Sequence, residues 1–227
     1  GVISNTEIDG TVGVTITAPD GSLIGDTLHV THPDETVTDY LVTDPRLLQL
    51  LQADSQPSPD ETLFIGAHED QLEVTLYLNQ ELLGRLSAAD PIDDLAQSNL
   101  DDFCKVLEGV SHFVYLAWNA AKDKCITRLE LELQSEVDKY VSTRLLLESQ
   151  SYPWMSSSRL CDVLFGAVRY RSGLAADEAA RYRHANSMGG RYCSSLEQRF
   201  PAPRAISAMA EELRVFYRMS QPEKFSH

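Results

Sequence analysis

The sequence predicts an α+β fold in which a small acidic β-rich N-terminal unit packs on a C-terminal bundle of about five helices. Three observations predict it. Apolar residues recur with a period near two before residue 92 and near three and a half after residue 97. Turn-forming clusters such as Pro19-Asp20-Gly21-Ser22 punctuate the first part. Residues 1–150 hold 8 Lys and Arg against 27 Asp and Glu, whereas residues 151–227 hold 11 against 7. A division of that kind marks regions with different partners, or an acidic region that docks on a basic one.

At 227 residues with 43% hydrophobic and 23% charged side chains, the chain can bury a core and reads as globular. Residues 1–10 are expected as a flexible N-terminus, 11–92 as the β-rich unit, 97–220 as the helical unit and 221–227 as a tail. No apolar run of about 18 uncharged residues occurs, so no membrane contact is expected.

The elements follow in order. Residues 11–18 alternate apolar side chains with Thr and read as a strand, as do Leu23–Thr31 and Val37–Val42. Asp44-Pro45 caps a short helix through Leu51. Residues 55–61 form a loop, and 62–65 with 72–78 form a hairpin around Gly66–Gln71. Leu72, Val74, Leu76 and Leu78 share its packed face, leaving Thr75 and Tyr77 toward water. A short helix from Gln80 closes at Asp90-Pro91.

After residue 97 the elements are helices. Ser98 or Asn99 caps one whose stripe is Phe103, Leu107, Val110, Val114, Ala117 and Ala121. The next, over 125–149, carries Ile126, Leu129, Leu133, Val137, Tyr140, Val141 and Leu145, with Leu131 off that stripe. This predicts burial on two sides or a dimer contact. Ser156-Ser157-Ser158 caps a third helix. A fourth, over 175–199, has the stripe Tyr182, Ala185, Gly189, Tyr192, Leu196 and Phe200. Its Gly189-Gly190 pair costs about 1 kcal/mol per glycine, which points first to the close approach of another helix, ahead of a kink at the pair or a break that exposes a helix N-terminus to an anion. The last helix carries Ile206, Met209, Leu213 and Phe216.

Cys104, Cys125, Cys161 and Cys193 lack any C-x-x-C spacing and read as free thiols buried in or beside helices in a reducing, cytoplasmic compartment. His29 and His32 read as surface residues.

Two groups of residues suggest chemistry. Arg181, His184, Met188 and Arg191 fall at helical three- and four-residue steps, with Arg183 beside them and Arg199 beyond. Arginine suits bidentate contacts with carboxylate or phosphate, and Tyr182 and Tyr192 offer stacking rings. The competing reading pairs these arginines with Glu130, Glu132 or Glu136. Separately, Glu108 and His112 stand four apart on the first long helix. With Glu130, Glu132 or Glu136 of its neighbour they could make an acid/base pair or a bundle metal site. The di-iron signature is Glu-x-x-His on each of two helices, whereas here the spacing is Glu-x-x-x-His and occurs once. Neither a metal nor a cofactor is expected on spacing alone.

No P-loop, G-x-S-x-G, dinucleotide-binding or H-E-x-x-H motif is present. The function expected first is a soluble cytoplasmic protein–protein interaction or adaptor subunit without catalytic activity, with a protein partner or a homo-oligomer. The alternative is a helical-bundle enzyme or anionic-ligand-binding protein using Glu108, His112 and Glu136 with the arginine strip. A nucleic-acid regulator comes third, because a net charge of −15 repels polyanions.

Overall fold

The computed structural model describes residues 27–31, 37–41, 60–68, 71–120, 122, 124–150, 155, 159–166, 168, 170, 173–201 and 206–226. The N-terminus at 1–10, the strand expected over 11–18, the turn after it, the helix at 44–51, the loop at 55–59, the serine cap at 156–158 and His32 lie outside these residues, and His29 is described in its backbone alone.

The described chain is mostly helical, with two antiparallel hairpins ahead of the main helices. The order is β1 (Thr27–Thr31), β2 (Val37–Leu41), β3 (Glu61–His68), β4 (Gln71–Leu78), α1 (Gln80–Ala88), α2 (Leu100–Ala120), α3 (Arg128–Ser149), α4 (Leu160–Phe165), α5 (Ala176–Arg199), α6 (Ile206–Arg218) and α7 (Gln221–Ser226). The segment expected as a C-terminal tail is therefore the helix α7. It holds because Lys224 is buried and hydrogen-bonded to the helices beneath it.

β3 and β4 pair from Glu61 opposite Leu78 to His68 opposite Gln71, so the strands run further toward the turn than the composition suggests. Leu63, Ile65 and Val74 face α2 and join Tyr115, Leu116, Ile126 and Leu131 in a small core. The opposite face, expected to meet water, carries Phe64 and Tyr77, both buried. Asn79 caps α1 by accepting from the backbone N–H of Glu81 and Leu82. Asn99 does not cap α2 in that way. Its carboxamide accepts from Ala96 N and donates to Ala89 O and Asp94 O, so it ties down the loop that enters the helix.

α2 is also turned from its expected orientation. Val110 and Val114 are exposed, while Leu100, Gly109, Ser111, Tyr115, Leu116 and Asn119 are buried. The reason is that α2 must face both the hairpin and α3, and Gly109 is what lets the hairpin approach. A Cβ there would lie 2.9 Å from Leu76 Cδ1 and 3.3 Å from Glu61 Oε2.

α3 is the central element, packed on α2 along one side and on α5 along the other. Leu131 enters the small core, whereas Leu133, Val137, Tyr140 and Leu147 enter the main one with Leu160, Met188, Cys193, Leu196, Met209 and Phe216. The expected two-sided burial is thus met within the chain. Leu145, placed on the stripe by periodicity, is exposed, and Leu147 is buried instead. A helix covered on several sides also buries its polar residues, here Glu130, Glu132, Gln134, Ser135, Thr143 and Arg144. Such groups are costly unless each finds a partner.

α5 meets α3 as the glycine pair predicts. A Cβ on Gly189 would lie 2.8 Å from Glu136 Cβ, and one on Gly190 would lie 3.1 Å from Phe165 Cβ. The four cysteines are free. Cys193 is buried and Cys104 and Cys161 are half-buried, but Cys125 is exposed in the link before α3. No helix of the described residues is long and apolar enough to cross a membrane.

Candidate functional site

The polar side chains of α3 sort into two rows by helical spacing. Glu132, Glu136 and Lys139 form one row, four and three residues apart, and Glu130, Gln134 and Asp138 form the other. α2 supplies a partner to each. Glu108 and His112, one turn apart, meet the first row, and Ser111 and Tyr115 meet the second. The pairs Glu108–Lys139 and Tyr115–Glu130 run in opposite senses along the two helices, as an antiparallel packing requires.

In the first row His112 Nε2 faces Glu132 Oε2 at 3.4 Å. Lys139 Nζ reaches Glu108 Oε2 at 3.0 Å and Glu136 Oε1 at 3.1 Å. Arg181 of α5 brings its Nε to 3.5 Å from Glu132 Oε1. One ligand atom each from Glu108, His112 and Glu132 lies within 4.8 Å of the others, the one such metal-ligating group among the described residues. Glu61 enters from β3, its carboxylate against the backbone at Gly109.

The electrostatics follow from this crowding. Burial and the fields of Glu108 and Glu132 push the Glu61 carboxyl up to about 7, against the pull of His112 and Lys139. Burial opposes a charge on His112, yet Glu132, Glu108 and Glu61 together push its imidazole up to about 9. Burial also acts on Glu108, where Lys139 and His112 prevail and hold its carboxyl below the usual range. Burial raises Glu136, in spite of Lys139. Burial pushes the neighbouring Cys104 thiol up to about 12, so it stays protonated at neutral pH and offers no thiolate.

No family model, curated protein or solved structure matches the chain. Function is therefore read from the side chains themselves.

Of the residues singled out by sequence, the fold brings Glu108, His112 and Glu136 into one cluster. Of the three glutamates offered as partners from the next helix, Glu132 is the one that faces His112, and the fold adds Glu61 and Lys139, which helical spacing did not single out. Lys139 shares that face of α3, three residues from Glu136, whereas Glu61 is 47 residues from Glu108 and only the hairpin's packing brings it in.

The arginine strip divides. Arg181 turns inward to Glu132, as the competing reading held, with its other arm 3.9 Å from Glu178. Arg183 and Arg191 are exposed, and Arg199 pairs with Glu212 at 3.0 Å. His184 is exposed, its ring 5.9 Å from that of Phe225. Tyr182 is half-buried beneath Arg181. Tyr192 is buried and stacked on Phe216 at 4.0 Å, so neither it nor the buried Met188 offers a surface to a nucleobase.

An open cleft of about 460 Å³ lies where the first turn of α3 meets α5 and the start of α7. Arg128, Asp177, Arg181, His184 and Gln221 line it. Arg181 is thus shared between the cleft and the buried cluster.

Proposed function

We propose that this protein binds a divalent first-row transition ion between α2 and α3, with Glu108, His112 and Glu132 as its protein ligands. The observation that carries this reading is the convergence of one imidazole and two carboxylates from facing helices. His112 Nε2 supports it, being a buried nitrogen that makes no hydrogen bond among the described residues although Glu132 stands 3.4 Å away. Charge supports it too. Glu61, Glu108, Glu132 and Glu136 face Lys139, Arg181 and, while it holds its proton, His112. A bound ion would replace the proton on His112 and the one that burial favours on Glu61, supplying the positive charge that the crowded carboxylates otherwise draw from protons.

The donor set favours Mn²⁺, Fe²⁺ or Zn²⁺ over the all-oxygen preference of Mg²⁺ and Ca²⁺. Metal–ligand bonds of about 2.0–2.2 Å set tetrahedral ligand atoms about 3.4 Å apart, so the three side chains need close by no more than about 1.5 Å. Lys139 holds Glu108 and Glu136 in place, the kind of outer contact that orients ligating carboxylates.

The test is titration of chelator-treated protein with Mn²⁺ and with Zn²⁺ by calorimetry and native mass spectrometry. One bound ion per chain is expected, with affinity falling at least about tenfold in His112→Ala and in Glu132→Gln while the circular dichroism spectrum is kept. Binding unchanged in both folded variants, or no stoichiometric ion in the parent protein, overturns the proposal.

A second reading, a protein–protein interaction or adaptor subunit, is favoured by Val110 and Val114. They stand one turn apart on α2 and are both exposed among the described residues. A mass in solution above that of one chain, restored to one chain by Val114→Lys, is its expected signature. The division into an acidic β-rich unit over 11–92 and a helical unit over 97–220 belongs to the same proposal. So does a cytoplasmic setting, supported by the four free thiols.

A further inference from the structure

We infer that the cleft beside α3 binds a small anion and that this binding is coupled to the metal site through Arg181. The inference rests on the metal-binding reading above and names its regulation.

The structural basis is a carboxylate shared between two partners. Glu132 Oε2 faces His112 Nε2 at 3.4 Å, and its other oxygen, Oε1, faces Arg181 Nε at 3.5 Å. Neither contact has hydrogen-bond geometry. Both His112 Nε2 and Arg181 Nε are buried nitrogens without a hydrogen-bond partner among the described residues. Arg181 is therefore held near Glu132 by charge and not locked to it. Its guanidinium also lines the 460 Å³ cleft, where Arg128 and His184 supply further donors and Asp177 supplies an opposing charge.

Two arginines face the cleft against Asp177, with Glu178 3.9 Å from Arg181 at its side, so the cleft offers arginine donors without a large positive excess. That selects a small oxyanion, such as a sulfate, phosphate or carboxylate group. Polyanions are disfavoured by the net charge of −15 on the whole chain. Arginine presents its fork of donors to such a group bidentately.

The two sites interact in a defined direction. While Arg181 sits beside Glu132, its charge repels an incoming metal ion and neutralises one of the ligands. An anion in the cleft draws the guanidinium outward and screens it, so Glu132 is released to the metal. Anion and metal thus bind with positive coupling. By linkage each tightens the other by the same factor.

The test uses the full chain and whichever of Mn²⁺ or Zn²⁺ binds more tightly. Its affinity is measured by calorimetry in sodium chloride and in sodium sulfate at equal ionic strength. Sulfate is expected to tighten metal binding at least about fivefold, within the usual range of coupling between sites. In Arg181→Met, metal binding in chloride should already be tighter and the sulfate effect should vanish. In Arg128→Met, which leaves the Arg181–Glu132 contact in place, the ratio of affinity in sulfate to affinity in chloride should fall below that of the parent. If the ion binds but sulfate does not alter its affinity, or if the effect survives in Arg181→Met, this inference is overturned while metal binding stands. If no ion binds in either salt, both are overturned.

Discussion

His112 on α2 and Glu132 on α3 face each other at 3.4 Å, one of several contacts by which the two long helices share buried charge. The contact stabilises the fold only while the imidazole carries its proton. Its folded-state pKa is raised from 6.5 to about 9, so the stabilisation is fully present below pH 6.5 and is lost as pH rises through about 9. The whole effect is on the order of 3 kcal/mol. Glu61 acts in the same direction at lower pH, its contribution being lost between about 4.5 and 7 as its carboxyl is forced to ionise. Urea denaturation of metal-free protein should show stability declining from pH 5 to 7. His112→Gln should turn the nearly flat profile of the parent above pH 7 into a rise.

Lys224 gives the opposite slope. Its Nζ donates to Tyr115 Oη at 2.9 Å and to Gln134 Oε1 at 2.7 Å, and it lies 4.4 Å from the Tyr115 ring. Burial pushes the amine down to about 7 from 10.5. Lys124 adds to this, while Glu130 and Asp138 oppose it. The unfolded chain therefore binds the extra proton between pH 7 and 10.5, and stability rises with pH across that window. Between pH 7 and 9 the two residues nearly cancel in the parent protein. Lys224→Met should expose the His112 decline there, and His112→Gln should expose the Lys224 rise. A Lys224→Met protein with no steeper decline than the parent would refute this assignment.

Two glycines test the helix packing by opposite signs. Gly189→Ala places a methyl 2.8 Å from Glu136 Cβ, an atom fixed to the α3 backbone, so α3 and α5 must separate. Overpacking of that kind costs about 1–3 kcal/mol, against about 1 kcal/mol of improved helix propensity. Gly84→Ala, in α1, meets no atom within 4 Å and should stabilise by about 0.5–1 kcal/mol. Thermal denaturation of the two variants should move the midpoint down for Gly189→Ala and up for Gly84→Ala.

Arg144 is wholly buried. It donates to Glu148 Oε1 at 2.7 Å, Tyr140 Oη at 3.2 Å and Glu197 Oε2 at 3.3 Å, and to the carbonyl of Phe200 at the end of α5. Arg144→Met leaves those acceptors without their cation and should cost about 3–5 kcal/mol in denaturant unfolding. Arg144→Lys should recover only part of the loss, because an ammonium cannot reproduce the planar fork.

Much of the helical half was legible in the sequence. Ala185, Gly189, Tyr192 and Leu196 of α5 are buried as their spacing indicates. There one dominant neighbour makes a single apolar stripe, which periodicity reads well. The stripe fails on α2, and on α3 it holds for Leu133, Val137 and Tyr140 but not for Leu145, because each of these helices has more than one neighbour and its buried residues spread around the axis. Val114 on the expected stripe is 50% exposed, whereas Glu132, which a stripe would send to solvent, is 7% exposed.

The candidate site shows the same limit. Sequence alone determined that Glu108 and His112 share one face of a helix and that Glu132 and Glu136 share one of the next, because helical spacing is a local property. Only the tertiary structure decided that these faces meet, that Glu61 joins them over Gly109, and that Arg181 turns inward. Those outcomes depend on how α3 is buried by α2 and α5. Packing fixes that burial through contacts between residues far apart in the chain, which no local pattern records.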